Sequence, residues 1–390
     1  LKKRLPLFLS LLFSFTITLF VHARQSSDSC SLRISLLTCT PGKELYSTFG
    51  HSALRVTDNN TGTDIIFNYG TFDFDDPGFY WKFTRGKLLY FVSIDNYIDF
   101  INQYQFEGRG ITEQVLNLSC AEKQNLLAAL YANAKEENKY YKYDFVHDNC
   151  TTRLRDMVAR YCTDSLISKN IRPYKGVTFR KLIHEYLNKG NQYWSKFGID
   201  ILLGSPLDKK ISNEEAMFLP DYLMKAFDSS STGNHKLVVE KNIVLHQTTM
   251  PNNKTFFTPL TVFSFLFLVM ALLSFIQSKG IKTFFRYFDA AIFFLFGLLG
   301  CFLLFMWFGT DHPTCKNNFN LLWAFPGHVV FAFYIGQKKI WVKKYLIATS
   351  VVLILLSIFG EGPQEMNNAF IPLILLLFFR SYLRYKEISK

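Results

Sequence analysis

Apolar and polar residues are arranged differently in three stretches of the chain. Near the start, an apolar run from Leu5 to Val21 follows the basic Lys2-Lys3-Arg4 and leads into Val21-His22-Ala23, where signal peptidase would cut before Arg24. This pattern predicts a secretory signal over residues 1–23, with an uncleaved anchor as the other reading. From about residue 256 the chain becomes a series of apolar segments, near 256–276, 287–308, 319–336, 343–360 and 369–384. Each is close to the roughly 17–25 residues that a bilayer-crossing helix requires. Between these ends lies a mixed stretch, 24–255, long enough to bury a core of its own.

Within that middle, short alternating runs predict strands over Leu32–Leu37, Ser52–Val56, Asp64–Tyr69, Lys87–Ile94 and Gly110–Leu118. The turn-rich Thr57-Asp-Asn-Asn-Thr-Gly-Thr63 joins the second and third as a hairpin. Ser119-Cys-Ala-Glu122 fits a capping box and opens a helix to about Lys139. Further helices are predicted over Thr151–Tyr161, Phe179–Leu187 and Glu214–Phe227, and Asp228-Ser-Ser-Ser-Thr-Gly-Asn234 reads as a flexible break before the membrane part. The fold class is therefore α+β, followed by an α-helical membrane bundle of about five spans. The domains expected are a signal over 1–23, an exported domain over 24–255 and a transmembrane domain over 256–390.

Charge fixes the direction of the bundle. Lys279, Lys282 and Arg286 lie between the first two apolar segments, Lys338, Lys339, Lys343 and Lys344 between the third and fourth, and Arg380, Arg384, Lys386 and Lys390 at the end. The connections 309–318 and 361–368 are not strongly basic. Cytoplasmic loops carry the excess of Lys and Arg, so the middle of the chain is exported and the C-terminus is cytoplasmic. Those residues and the first three basic ones make up fourteen of the 43 Lys and Arg residues, so topology accounts for much of the formal charge of +12. A nucleic-acid partner is not expected.

Seven cysteines fall at 30, 39, 120, 150, 162, 301 and 315. Cys301 lies inside a predicted span as inert packing. The other six face an oxidising compartment, where one or two disulfides are expected without a readable connectivity. No CxxC pair, metal-type Cys/His spacing, phosphate-binding glycine loop or zinc-protease motif occurs, so neither metal nor cofactor is expected.

Two short segments carry the candidate chemistry: Phe49-Gly-His-Ser-Ala-Leu-Arg-Val56 starts a strand with His51, and Asp148-Asn-Cys-Thr-Thr-Arg153 starts a helix with Cys150. A free thiol ionises near about 8.5, and a helix N-terminus with an imidazolium beside it lowers that value toward neutrality. Such a cysteine attacks carbonyl carbon, and the N–H groups of the same helix start can receive the oxyanion. The histidine needs a partner for its second ring nitrogen; the hairpin register suggests Asn68, with Tyr69 as the competitor. A disulfide half or buried filler is the bland reading of Cys150. His147 receives no role, and His22, His184, His235 and His246 read as structural or solvated.

Three segments carry a wider resemblance: Leu36-Leu-Thr-Cys-Thr-Pro-Gly-Lys-Glu-Leu-Tyr-Ser-Thr-Phe-Gly-His-Ser-Ala-Leu-Arg55, Tyr143-Asp-Phe-Val-His-Asp-Asn-Cys-Thr-Thr-Arg153 and Ala216-Met-Phe-Leu-Pro-Asp-Tyr-Leu223. With Asp311-His-Pro313 and Asn320-Leu-Leu-Trp-Ala-Phe-Pro326 in the membrane part, the whole chain resembles the Lnb family of bacterial lipoprotein N-acyltransferases. The resemblance implies a permuted papain-like, NlpC-type exported domain on a membrane bundle in the bacterial inner membrane. It also implies transfer of an acyl chain from a phospholipid to the N-terminal amine of a diacylglyceryl-cysteine lipoprotein. His51 and Cys150 match the family's catalytic positions, whereas Asn68 rests on the hairpin alone.

The expected reaction is ping-pong, through a thioester on Cys150. Arg55 and Arg153 are candidate phosphate contacts, with a salt bridge to Asp148 or Asp144 as the competing explanation. Asp311 and His312, with the Asn317–Asn320 cluster, are candidates for holding head groups or the lipoprotein amine, or else a hydrogen-bonded cap on the bundle. His328 is costly in lipid, which suggests function, although a polar contact beside Pro326 would suffice. A membrane-tethered cell-wall amidase and a non-enzymatic lipid or lipoprotein carrier are the alternatives from other classes.

Overall fold

The computed structural model describes residues 30–163, 166–248, 255–358 and 362–389. The predicted signal, 1–23, lies outside the described residues. The α+β part begins with strands β1 (Leu32–Cys39), β2 (His51–Asp58) and β3 (Thr63–Thr71), followed by helix α1 (Phe79–Thr84) and strand β4 (Leu89–Asn96). Helix α2 (Tyr97–Phe106), strand β5 (Ile111–Leu116), helix α3 (Cys120–Ala134), strand β6 (Tyr140–Lys142) and helix α4 (Cys150–Tyr161) come next. Helices α5 (Phe179–Lys189), α6 (Tyr193–Leu202) and α7 (Pro220–Ser229) precede the small hairpin β7 (Ser231–Thr232) and β8 (His235–Lys236), and then strand β9 (Val238–Leu245).

Seven strands form one sheet in the order β6-β4-β3-β2-β1-β5-β9, with antiparallel neighbours throughout. β1 lies near its centre and is buried on both faces, which is why its sequence is almost continuously apolar. Successive side chains alternate between faces. Leu36, Leu54 and Phe67 pack with α3 and α4 on one side, while Leu37, Ala53 and Ile66 pack with Phe100 and Tyr104 of α2 on the other. A disulfide joins Cys30 to Cys120, so the start of β1 is tied to the start of α3.

Three expectations for this part change. Residues 228–234 are not a loose break: Ser231 pairs with Lys236, and Asp228 accepts from Gln114 and Lys241. β9, which those residues introduce, is an exposed edge strand whose Glu240, Lys241 and Asn242 interrupt its apolar residues and blunt the edge. The helix expected over Glu214–Phe227 splits into a 3-10 turn, Glu215–Phe218, and α7, because Pro220 takes the first helical position.

The C-terminal part contains helices α8 (Pro259–Leu273), α9 (Lys279–Phe308), α10 (His328–Ala332), α11 (Ile340–Ile358) and α12 (Phe370–Ser389) around a core that includes Phe293, Trp323, Phe331, Leu346 and Leu377. Among the described residues, α9 alone is long and apolar enough to cross a membrane by itself. The segment 319–336 is not one helix. It forms a 3-10 turn, Phe319–Leu322, and then the short α10. Pro326 interrupts it by lacking an N–H and by pushing Phe325 away from helical geometry. The broken segment packs closely on α9, where Gly300 has no room for a Cβ against the Ala324 carbonyl. Arg380 and Arg384 are buried rather than free cytoplasmic charges: Arg380 makes a two-pronged pair with Asp289, and Arg384 donates to the Ile335 carbonyl and to Glu387.

Both weakly basic connections pack against the α+β part. Asp200 of α6 is fully buried and accepts from Arg180, His184 and Asn367, each at 2.8 Å. Asn320 donates to the Asp200 carbonyl at 2.8 Å, and Asn318 to that of Ile201 at 2.7 Å. Lys181 pairs with Glu365 at 2.8 Å. The Asn318 and Asn320 amides therefore fasten the two parts together, as the structural cap among the two readings requires.

Candidate active site

The register gathers the candidate residues at one end of the sheet. Cys39 lies opposite His51 and Ile111, Ile111 opposite Leu245, and Leu89 opposite Lys142. This end therefore holds the starts of β2, β4 and β5 and the finishes of β1, β3, β6 and β9. β9 leaves from it toward α8.

Cys150 is the first residue of α4, and the local sequence dictates that start. Asn149 Oδ1 accepts from the N–H groups of Thr151 and Thr152 at 2.8 and 2.9 Å, and Thr152 Oγ1 accepts the Asn149 N–H at 2.8 Å. Asn149 also donates to the carbonyls of Phe145 and Phe218, so the cap is itself held by the core. One expectation is corrected here: the Thr151 and Thr152 amides are taken by the cap and are not free to meet an oxyanion.

His51 opens β2, whose next residue, Ser52, accepts from the hydroxyl of Thr151 beside Cys150, and the His51 ring and the Cys150 thiol bias each other's ionisation. His51 Nε2 lies 2.7 Å from Asn68 Oδ1, and Asn68 Nδ2 donates to Asp95 Oδ2 at 2.8 Å. Asp95 accepts, so the Asn68 amide nitrogen must point to it and the amide oxygen to His51. Nε2 then carries the donating proton and Nδ1 is left for the thiol. Tyr69, the other candidate, points to the opposite face of β3, where its hydroxyl accepts from Asn133 at 2.9 Å. Asp95 was missed in the sequence, where its only signal is a carboxylate at an alternate position of an otherwise apolar strand.

Burial would raise the Cys150 thiol, but the His51 charge and hydrogen bond, the Ser52 N–H and the Thr151 hydroxyl bring it down to about 7. Burial works against the His51 charge in turn, yet the thiolate and the Asn68 contact leave it raised overall. The other free thiols nearby behave differently: burial pushes Cys39 up to about 12 and Cys162 up to about 11. Of these three thiols, Cys150 is the one whose surroundings favour the thiolate.

Beside it the backbone comes close at a glycine. Gly70 follows β3 residues Asn68 and Tyr69 with φ of 89°, and a Cβ there would meet Cys150 Cβ at 3.5 Å and the Tyr141 hydroxyl at 3.9 Å. That hydroxyl is buried and has no hydrogen-bond partner. The Arg153 guanidinium lies 3.5 Å above the Tyr141 ring. Tyr141 went unnoticed in the sequence, although the run Tyr140-Tyr141-Lys142-Tyr143 just before the Cys150 loop marked the place.

The remaining candidates are engaged by the protein. Arg153 makes a two-pronged pair with Asp148 at 2.6 and 2.7 Å. Arg55 holds Asp64 at 2.7 Å and Glu113 at 3.3 Å, rather than Asp148 or Asp144, and stacks 3.4 Å from the Tyr97 ring. It lies four residues along β2 from His51, about 13 Å at strand spacing, so the proposed phosphate contact is not at this site. Asp311 pairs with Lys142 at 3.0 Å and its N–H donates to the Arg85 carbonyl, while His312 Nε2 lies 3.0 Å from the Phe83 carbonyl. His147 packs edge-on against Phe179, and His184 belongs to the Asp200 network. His328 meets Tyr345 OH at 2.7 Å. Among the described residues no cluster of His, Cys, Asp and Glu has the makings of a metal site.

Residues 20–185 match the family described as the Lnb N-terminal periplasmic domain, and residues 251–390 match the Lnb transmembrane domain. The chain belongs to the Lnb family. No curated protein and no solved structure matches it. Membership carries lipoprotein N-acyltransferase activity at family level, together with a periplasmic domain and a membrane region. The first matched stretch contains His51, Asn68, Asp95, Tyr141 and Cys150, and the second contains Asp311 and His312. In this Lnb-family chain, the end of the sheet that carries Cys150 is also the end joined to the membrane part.

Proposed function

We propose that the chain moves one acyl chain from a phospholipid to the N-terminal amine of a diacylated lipoprotein, with Cys150 as nucleophile, His51 as acid and base, and Asn68 as the residue that orients His51. The observation that carries this reading is His51 held between Cys150 and Asn68, with Asn68 fixed by Asp95. The Cys150 thiolate attacks the ester carbonyl carbon, and the tetrahedral oxyanion collapses as His51 gives its proton to the departing lysophospholipid oxygen. The lipoprotein amine then attacks the thioester, His51 accepts its proton, and the Cys150 sulfur leaves. The Cys150 N–H, outside the Asn149 cap, and the unpartnered Tyr141 hydroxyl are the oxyanion donors.

Supporting the architecture implied by the resemblance, a helix that starts with the nucleophile packs on an antiparallel sheet that carries the histidine earlier in the chain. We read this as a permuted papain-like domain over 24–255, exported behind a signal at 1–23 and followed by a multi-pass inner-membrane bundle over 256–390. Five apolar segments compose that bundle, the third entering as a broken element. Asp311 and His312 act in this scheme as a brace between bundle and site rather than as ligands for substrate.

The test is incubation of the full-length protein with phospholipid and a synthetic diacylated lipopeptide, followed by mass analysis. Wild type should add one acyl chain to the lipopeptide amine, and Cys150→Ala and His51→Ala should not. Transfer by Cys150→Ala would end the mechanism. Peptidoglycan cleavage without acyl transfer would instead favour a cell-wall amidase using the same pair.

A further inference from the structure

The connection between β3 and β4, residues 72–88, carries four large aromatic side chains in the open: Phe74, Tyr80, Trp81 and Phe83 are 62, 78, 59 and 51% exposed. Exposed apolar groups crowded on one short segment mark an interaction surface, and the neighbouring contacts say what covers this one. Trp81 stacks 6.0 Å from Phe305, near the end of the membrane-crossing α9. The Arg85 and Phe83 carbonyls meet the Asp311 N–H and His312 ring just beyond that helix. The segment is therefore level with the mouth of the membrane region, where Trp and Tyr rings settle between head groups and hydrocarbon.

Its inner end leads to the nucleophile. From Phe74, rings follow one another through Phe72 at 4.8 Å, Tyr90 at 5.3 Å and Tyr143 at 4.4 Å. Tyr143 and Cys150 then both lie against Gly70, 3.6 and 3.5 Å from the place of its absent Cβ. We propose that residues 72–83 dip into the outer-leaflet interface and that the ring series from Phe74 to Tyr143 is the path along which a phospholipid acyl chain brings its ester to Cys150. The occupant is the acyl chain of a phospholipid whose head group meets a charge-balanced rim, Asp73, Asp75 and Asp76 against Lys82, Arg85 and Lys87. This rests on the thioester reading above and adds where the donor enters.

The test has two arms, both with the full chain. In the first, acylation of Cys150 is timed with phosphatidylethanolamine vesicles and with water-soluble p-nitrophenyl acetate. In Phe74→Ser/Tyr80→Ser protein the ratio of the vesicle rate to the soluble rate should fall about tenfold, and a ratio within twofold of wild type overturns the path. The second arm needs no chemistry. Cys150→Ala protein and the same protein with Trp81→Phe are placed in bilayers of phosphatidylethanolamine with or without bromine on the acyl chains. The fluorescence belonging to Trp81 should drop by about half with brominated lipid, and an unchanged signal overturns the placement in the bilayer. Should neither donor acylate wild type, the thioester reading falls and the quenching alone decides the lipid contact.

Discussion

Cys150 owes its proposed reactivity to three groups, the adjacent Thr151 hydroxyl and, about a hundred residues upstream, His51 and the Ser52 N–H. Alkylation by iodoacetamide reads this out. The rate should rise with pH around a midpoint near 7 rather than near 9, because the thiolate forms as pH climbs through the lowered value. His51→Ala should move the midpoint upward, since burial would then act without the imidazolium; an unmoved midpoint removes His51 from the role. The unpartnered Tyr141 hydroxyl predicts a separate effect. Tyr141→Phe should lower kcat for acyl transfer by about a hundredfold while KM changes little, the pattern of a donor that acts mainly in the transition state. A loss of less than twofold would assign the oxyanion to the Cys150 N–H alone. His51 and Cys150 were legible because Gly-His at a strand start and Asn-Cys at a helix start are local signals. Asn68 followed from the hairpin, but Asp95 and Tyr141 were not legible, since their contacts form across strands and not along them.

At the scale of elements, α4 is held in place by Asn149, a single residue that caps the helix and donates to carbonyls of two other segments. Asn149→Ala removes the cap and leaves the Phe145 and Phe218 carbonyls short of a donor, so it should destabilise the protein by about 2 kcal/mol. Thermal unfolding in detergent measures this, with Asn149→Ser as a comparison that keeps a capping oxygen and loses the two donations. Strands β1 to β5 and helices α3, α4 and α5 were legible from alternation and caps. β6 is too short to show a pattern and the Glu240-Lys241-Asn242 run breaks the one in β9, and both depend on pairing with β4 and β5 at the two edges of the sheet. The broken segment 319–336 was misread for a related reason: its composition suits a span, but Pro326 and the amides of Asn318 and Asn320 commit it to turns that meet α6.

At the scale of the whole molecule, α5 and α6 are set against the membrane part by a buried polar network centred on Asp200. Burial would raise this carboxyl, but His184, Arg180 and Asn367 hold it below the ordinary carboxylate range. Its contribution is therefore complete above the unfolded carboxylate value and is lost as pH falls through the lower folded value. Asp200→Ala leaves Arg180 with Asp208 as its remaining carboxylate and strips His184 and the Asn367 amide of their acceptor, so stability should fall by about 3 kcal/mol. Limited proteolysis should then cut between residues 189 and 259 faster than in wild type, and equal cutting rates would show that the network does not fasten the two parts. By itself, the sequence determined the exported-then-membrane order, the α+β class and the local settings of His51 at a strand start and Cys150 at a helix start, because apolar periodicity, loop charge and cap residues act over a few neighbouring positions. Only the tertiary structure decided that Asp95 fixes Asn68, that Arg55 and Arg153 are held by carboxylates, and that the reactive end of the sheet faces the membrane part. Those outcomes depend on strand register and on side-chain contacts between residues tens to hundreds of positions apart, which local pattern does not specify.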